Sequence, residues 1–186
     1  GGGMVGANAA RLAVGVGADV TLLDRSAERL RHFDDLYGGE LGTRFSNPAN
    51  IAECVADADL VVGAAYIPGR RAPRLLSRDL IHAMPRGAAL VDVAIDQGGI
   101  SETSRPTTHS DPYYVEEGVV HFCVANMPGA VSRTATLALA EATLPYLLRL
   151  AADPRAALES DPGFGAGLNV SAGRIAHPGL AADLNL

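Results

Sequence analysis

The chain is 186 residues long, 48% apolar, and carries a formal charge of −6 at pH 7. That length holds one domain or one and a half, with apolar residues enough for a core. The acidic balance argues against a partner held through nucleic-acid phosphates. No apolar run reaches the roughly 18 residues of a membrane helix, and no secretory leader is visible, so a cytoplasmic location is expected. All 15 basic residues are Arg, which reads as compositional bias rather than function. Cys54 and Cys123 sit in apolar surroundings and read as buried small hydrophobes in a reducing compartment. The chain begins without Met and inside a motif, so it is expected to be a fragment of a longer protein.

That motif is Gly1-Gly2-Gly3-Met4-Val5-Gly6, a G-x-G-x-x-G with Gly1, Gly3 and Gly6 in its three places. The first Gly makes a tight strand-to-helix turn, the second lets backbone approach a pyrophosphate, and the third lets the helix pack close. The helix N-terminus then offers free N–H groups to the phosphates. Helical spacing runs through residues 4–17, and a short buried-strand pattern through 19–24. Ser26 caps a polar helix to Tyr37, which Gly38-Gly39 breaks. A weak strand follows at 41–45, then a helix opened by Asn47-Pro48 and reaching Ala56. Residues 59–64 form a strand, 67–73 a loop, and Ser77 caps a helix to about Met84. Residues 88–95 (AALVDVAI) read as one near-continuous apolar strand, 96–114 as a long polar loop, and 119–124 as a further strand. A long Ala/Leu-rich helix covers 132–152, and short helical pieces follow. Strands apolar on both faces, alternating with helices, predict an α/β fold with a doubly wound parallel sheet. A boundary is expected near residues 126–132, where the alternation stops.

Asp24 lies 18 residues after Gly6, close to the spacing at which a carboxylate meets an adenosine ribose. Such a carboxylate accepts from both ribose hydroxyls and repels a 2′-phosphate, which favours NAD over NADP. Asp96 follows the apolar strand and precedes Gly98-Gly99; it either faces a nicotinamide or substrate, or makes a loop hydrogen bond. Asp92, within the strand, reads as a structural carboxylate paired with backbone or an Arg. Asn126 can meet a nicotinamide ribose or simply turn the chain before a helix. Arg105 can reach a phosphate or a carboxylate, or stand solvated. The five histidines do not cluster with Cys or carboxylates at ligand spacing, so no metal site is expected.

The stretches GGGMVGANAARLAVGVGADVTLLD, GAAYIPGRRAPRL, LVDVAIDQGGISETSRPTTHSDP and FCVANMPGAV resemble the alanine dehydrogenase group of the alanine dehydrogenase/transhydrogenase family. The resemblance covers most of residues 1–146. It implies NAD-dependent, reversible oxidative deamination of L-alanine to pyruvate and ammonia. It places the catalytic carboxylate on Asp96, and cofactor contacts on Gly1, Gly3, Met4, Val5, Gly6, Asp24, Arg29 and Ser46. Further cofactor contacts fall on Ala65, Tyr66, Val93, Ala94, Ile95, Arg105, Val124, Ala125, Asn126 and Met127. It also implies a homohexamer acting on a small-molecule substrate, with no nucleic acid or membrane partner. By the same resemblance residues 1–131 are a Rossmann NAD-binding domain lacking its first strand, and 132–186 a helical segment of the substrate domain. The family's substrate-binding arginine and lysine, and its catalytic histidine, belong to an N-terminal half with no match here. These residues alone are therefore expected to lack turnover, and a non-catalytic NAD-binding module is an alternative. The transhydrogenase branch is a second alternative, but it usually carries Gln at the Asp96 position and Asp-Leu at 126–127.

Overall fold

Gly3 is extended and starts a helix, α1 (Met4–Gly15), with no side chain capping its first turn. The computed structural model describes residues 1–185; the last residue of the predicted second segment lies outside them. The chain divides into two compact units, Gly1–Ile67 with Arg71–Ala125, and Pro68–Arg70 with the residues from Asn126 onward.

In the first unit, β1 (Val20–Asp24) runs parallel to β2 (Leu41–Phe45), with Asp24 opposite Phe45 at the carboxyl ends. Between them lies α2 (Ala27–Tyr37), capped by the Ser26 hydroxyl and ended by Gly38 in the left-handed region at φ 56°. Ala10, Leu22, Phe33 and Leu41 form the core of this half.

A second ladder follows. It contains β3 (Leu60–Gly63), β4 (Ala89–Asp92), β5 (Tyr113–Glu116) and β6 (Val119–Phe122) in the order β3-β4-β6-β5. β3, β4 and β6 are parallel, as predicted. α3 (Pro48–Ala56) and α4 (Arg78–Ala83) pack with them through Val55, Leu76, Ile81, Leu90, Ile100 and Val119. Ile81, Leu90 and Val119 are completely buried, and each such side chain contributes roughly 2 kcal/mol.

Two predicted elements change. The 88–95 run is a strand for only four residues, because the Asp92 carboxylate turns the chain by accepting from the Ala94 and Ile100 N–H groups. Ile95–Gln97 is then a 3-10 turn. The polar loop ends early in β5, which pairs antiparallel with β6 across Glu117-Gly118, both at positive φ (53° and 81°). That is the backbone of a tight two-residue hairpin.

β1 and β3 are not paired with each other, and the two ladders are separate. In the doubly wound order 3-2-1-4-5-6, this interval is where the first strand lies. Gly1 and Gly2 reach the carboxyl ends of both neighbours. A Cβ on Gly1 would sit 2.8 Å from the Ala64 carbonyl oxygen beyond β3, and the Gly2 N–H donates to Asp24 at the end of β1.

The second unit is built on α5 (Ser132–Ala152), along which no residue is buried. The carboxylates of Asp153 and Asp161 cap α6 (Pro154–Ser160) and α7 (Pro162–Gly165). A small hairpin, β7 (Val170–Ser171) with β8 (Arg174–Ile175), was not anticipated from sequence. α8 (Pro178–Leu184) closes the unit, with Asp183 paired to Arg70. Among the described residues, no helix is long and apolar enough to cross a membrane.

Candidate functional site

The glycine turn is held by Asp24, which sequence spacing placed at the ribose, and by Arg29, which the family resemblance placed beside it. Asp24 Oδ2 accepts from the Gly2 N–H at 2.6 Å, and Oδ1 from the Ser26 N–H at 2.8 Å. Arg29 donates from Nε to the Gly2 carbonyl at 3.0 Å, and from Nη2 to the same oxygen. Asp24 and Arg29 thus fix both ends of one peptide residue. Burial works against charge on Asp24, but the Ser26 and Gly2 N–H groups outweigh it and hold the carboxyl below its usual value. Each Asp24 oxygen keeps acceptor capacity for a further donor. The Ser46 N–H donates to the Asp24 carbonyl at 2.9 Å, so Ser46 flanks Asp24 beyond β2.

The glycines divide by what surrounds them. A Cβ on Gly6 would overlap the Gly1 carbonyl oxygen, so this position allows close packing of α1 against the turn. A Cβ on Gly3 would meet nothing within 4 Å. The turn is therefore open at Gly3, in front of an α1 N-terminus that no side chain caps, and Met4 and Val5 are exposed beside it. A pyrophosphate fits such a cradle, since its oxygens accept from free N–H groups in the first turn. Internal packing therefore does not require a glycine at position 3.

Ala65 lies beside Gly1, and Tyr66 is 63% exposed at the carboxyl end of β3. Val93 continues the β3–β4 ladder by donating to Gly63 O at 3.0 Å; Ala94 and Ile95 are buried, and Asp96 is exposed. Among the described residues nothing pairs with the Asp96 carboxylate, so the loop hydrogen bond left open by sequence is not formed. Its mount is rigid. Asp92, fully buried, accepts from Ala94 N–H (3.1 Å), Ile100 N–H (2.8 Å) and Ser104 Oγ (2.6 Å). Gly99, at φ 77°, passes so close that a Cβ there would lie 2.7 Å from Asp92 Oδ2. Asp92 is thus the structural carboxylate expected, satisfied by backbone and a hydroxyl.

Arg105 is exposed, and its guanidinium carbon lies 3.8 Å from the Tyr114 ring centroid. Val124 is buried and Ala125 exposed just beyond β6. The first unit therefore gathers Gly1, Gly3, Gly6, Asp24, Arg29, Ser46, Ala65 and the 93–96 turn at the carboxyl ends of its strands, where ligands bind in open α/β sheets. Asn126 and Met127 belong to the second unit. Asn126 is left-handed (φ 55°) and precedes a 3-10 turn, Met127–Val131, so it does turn the chain. Cys123 is buried and Cys54 half-buried; both are free thiols. No group of three or more potential metal ligands occurs among the described residues.

Sequence reasoning missed Gly2 as the clamped residue, and missed the hydrogen-bonded groups around the polar loop: buried Ser101, Thr103 and His121, and half-buried Tyr114. The signal for His121 was its place in VVHF, where burial alternates and His121 shares the inward face with Val119.

The model of the family "Alanine dehydrogenase/PNT, C-terminal domain" matches residues 1–178. The chain belongs to this family. It corresponds to the family's C-terminal, NAD(H)-binding domain. The alanine dehydrogenase of Halomonas elongata is 52% identical over 187 aligned positions, which take in 100% of this chain and 50% of that protein. A solved L-alanine dehydrogenase is 48% identical with a TM-score of 0.83, covering 100% of this chain and 51% of the other. A solved transhydrogenase from Sinorhizobium meliloti is 27% identical with a TM-score of 0.71, covering 96% of this chain and 48% of the other. The chain spans about half the length of the curated relatives it matches.

Proposed function

We propose that this alanine dehydrogenase/PNT domain holds NAD and that, joined to the rest of the family's length, it catalyses reversible oxidative deamination of L-alanine to pyruvate and ammonia. The observation that carries this reading is the pairing of an open glycine turn with an exposed, unpartnered Asp96 carboxylate at the carboxyl ends of the same strands. The greater identity to alanine dehydrogenases than to the transhydrogenase supports the amino-acid branch.

Gly1, Gly3, Met4, Val5 and Gly6 would cradle the pyrophosphate, with Asp24, Arg29 and Ser46 around the adenosine. Ala65, Tyr66, Val93–Ile95, Arg105 and 124–127 would line the remainder. Bound NAD supplies the hydride acceptor. L-Alanine, water and NAD+ give pyruvate, ammonium, NADH and one proton, so a base must hold protons as the amine becomes an imine and water adds. Asp96 stands free for that role, while the neighbouring Asp92 carboxylate accepts from the Ala94 and Ile100 N–H groups and fixes the turn.

Residues 1–131 act as the cofactor domain in this proposal, and 132–186 as a segment of the substrate domain. The exposed apolar residues of α5, among them Leu137, Leu139 and Leu147, support a packing role for that segment. Homohexameric assembly, which rests on family resemblance, and the cytoplasmic location expected from sequence are part of the same proposal.

An assay of alanine-dependent NADH formation tests it. The chain alone is expected to bind NAD without turnover. In the completed polypeptide, Asp96→Asn should cut kcat by about a thousandfold, within the range for loss of a positioned base, and leave NAD affinity nearly unchanged. Full activity of Asp96→Asn would remove Asp96 from the chemistry.

A further inference from the structure

Arg105 is held between two anchors. On one side the Ser104 hydroxyl donates to buried Asp92 at the end of β4. On the other, the Thr107 N–H donates to Cys123 O at 2.9 Å, and the Ala125 N–H to Thr107 O at 3.2 Å, just past β6. Residue 105 therefore stands over the carboxyl ends of two strands of the proposed cofactor crevice. Its charge has no carboxylate partner among the described residues; the Tyr114 ring takes that place at 3.8 Å.

Tyr114 is itself tightly fixed. Its hydroxyl accepts from the Arg105 N–H at 2.9 Å and donates to the Thr103 carbonyl at 2.7 Å. It lies opposite His121 across the β5–β6 ladder, and the two rings stack at 4.9 Å. Fully buried His121 is held in turn: Nδ1 donates to Val119 O at 3.0 Å, and Nε2 accepts from Thr103 Oγ at 2.7 Å. Thr103 Oγ accepts from Ser101 Oγ at 2.9 Å. Those partners select one imidazole tautomer and complete the chain of donors. Burial pushes the Tyr114 phenol up, so it remains a donor across the physiological range.

A stacked guanidinium uses its face and keeps its edge. The five N–H donors of Arg105 stay available in a planar fork, the arrangement that grips phosphate through two hydrogen bonds. Stacking also restrains a side chain that otherwise loses much rotamer freedom on binding. We propose that Tyr114 is a positioning residue that presents Arg105 edge-on to the dinucleotide's pyrophosphate. This rests on the cofactor contact assigned to Arg105 under the proposed function.

Calorimetric titration of the chain with NAD+, ADP-ribose and adenosine tests it, with melting curves for each variant. Tyr114→Leu should weaken NAD+ and ADP-ribose by about five- to twentyfold, a factor in keeping with a cation–π contact and an ordered fork, and leave adenosine unchanged. Arg105→Ala should do the same, and the double variant should bind no more weakly than Arg105→Ala alone. Tyr114→Phe keeps the ring if Tyr114→Leu fails to fold; it should weaken NAD+ by about threefold through loss of the two hydroxyl hydrogen bonds. Additive losses, equal losses for adenosine, or no loss in either Tyr114 variant would overturn the positioning role while the contact by Arg105 survives. No loss in Arg105→Ala would instead remove that contact, and the proposal with it.

Discussion

Asp24 holds the glycine turn through the Gly2 and Ser26 N–H groups and keeps acceptor capacity on both oxygens. Its position at a strand end, 18 residues after Gly6, was readable from spacing. Its grip on the Gly2 N–H was not, because that contact closes across 22 residues. The hydrogen bonds favour the charged form, so the native value lies below the unfolded one of about 4. A depressed carboxylate adds stability above the unfolded value and loses it as pH falls through the native value. The melting temperature of the wild type should therefore exceed that of Asp24→Asn near pH 7, and the gap should shrink as the pH falls through the lowered native value. A gap independent of pH would show that Asp24 acts by shape alone. Asp24→Ala should also relax discrimination against the 2′-phosphate, read as a smaller ratio of NADP+ to NAD+ dissociation constants.

At the scale of elements, most boundaries followed from caps and breakers: Ser26, Asn47-Pro48 and Ser77 start helices, and Gly38 stops one. The exceptions share a cause. β4 reads as eight residues because apolar character persists to Ile95, but a buried carboxylate with three donors ends it at Asp92. The loop at 96–114 reads as solvated because it is polar, yet Ser101, Thr103 and Thr107 are buried and bonded within the fold. Long-range pairing of polar groups leaves no periodic trace. Asp92→Ala should accordingly cost about 3 kcal/mol or more, since it strands two buried N–H groups and a hydroxyl. Chemical denaturation measures this, and a cost under about 1 kcal/mol would mean that solvent replaces the carboxylate. Gly99→Ala should be nearly as damaging, from positive φ combined with the close approach to Asp92.

For the whole molecule, the α/β class was legible in the alternation of apolar strand patterns with helices. The antiparallel edge β5 was not, because its four residues lie inside a polar stretch. β1 and β3 each have one hydrogen-bonded neighbour, whereas β4 has two. Amide exchange should therefore be faster in β1 and β3 than in β4, and equal protection would mean that edge exposure matters less than burial here. The central claim is that the glycine turn of this domain receives a dinucleotide pyrophosphate. Gly3 tests it most directly, because a Cβ added there meets nothing within 4 Å. In calorimetric titration with NAD+, Gly3→Val should weaken binding at least about tenfold while the melting temperature stays within about 5 °C of the wild type. Unchanged NAD+ affinity in a folded Gly3→Val protein would contradict the account.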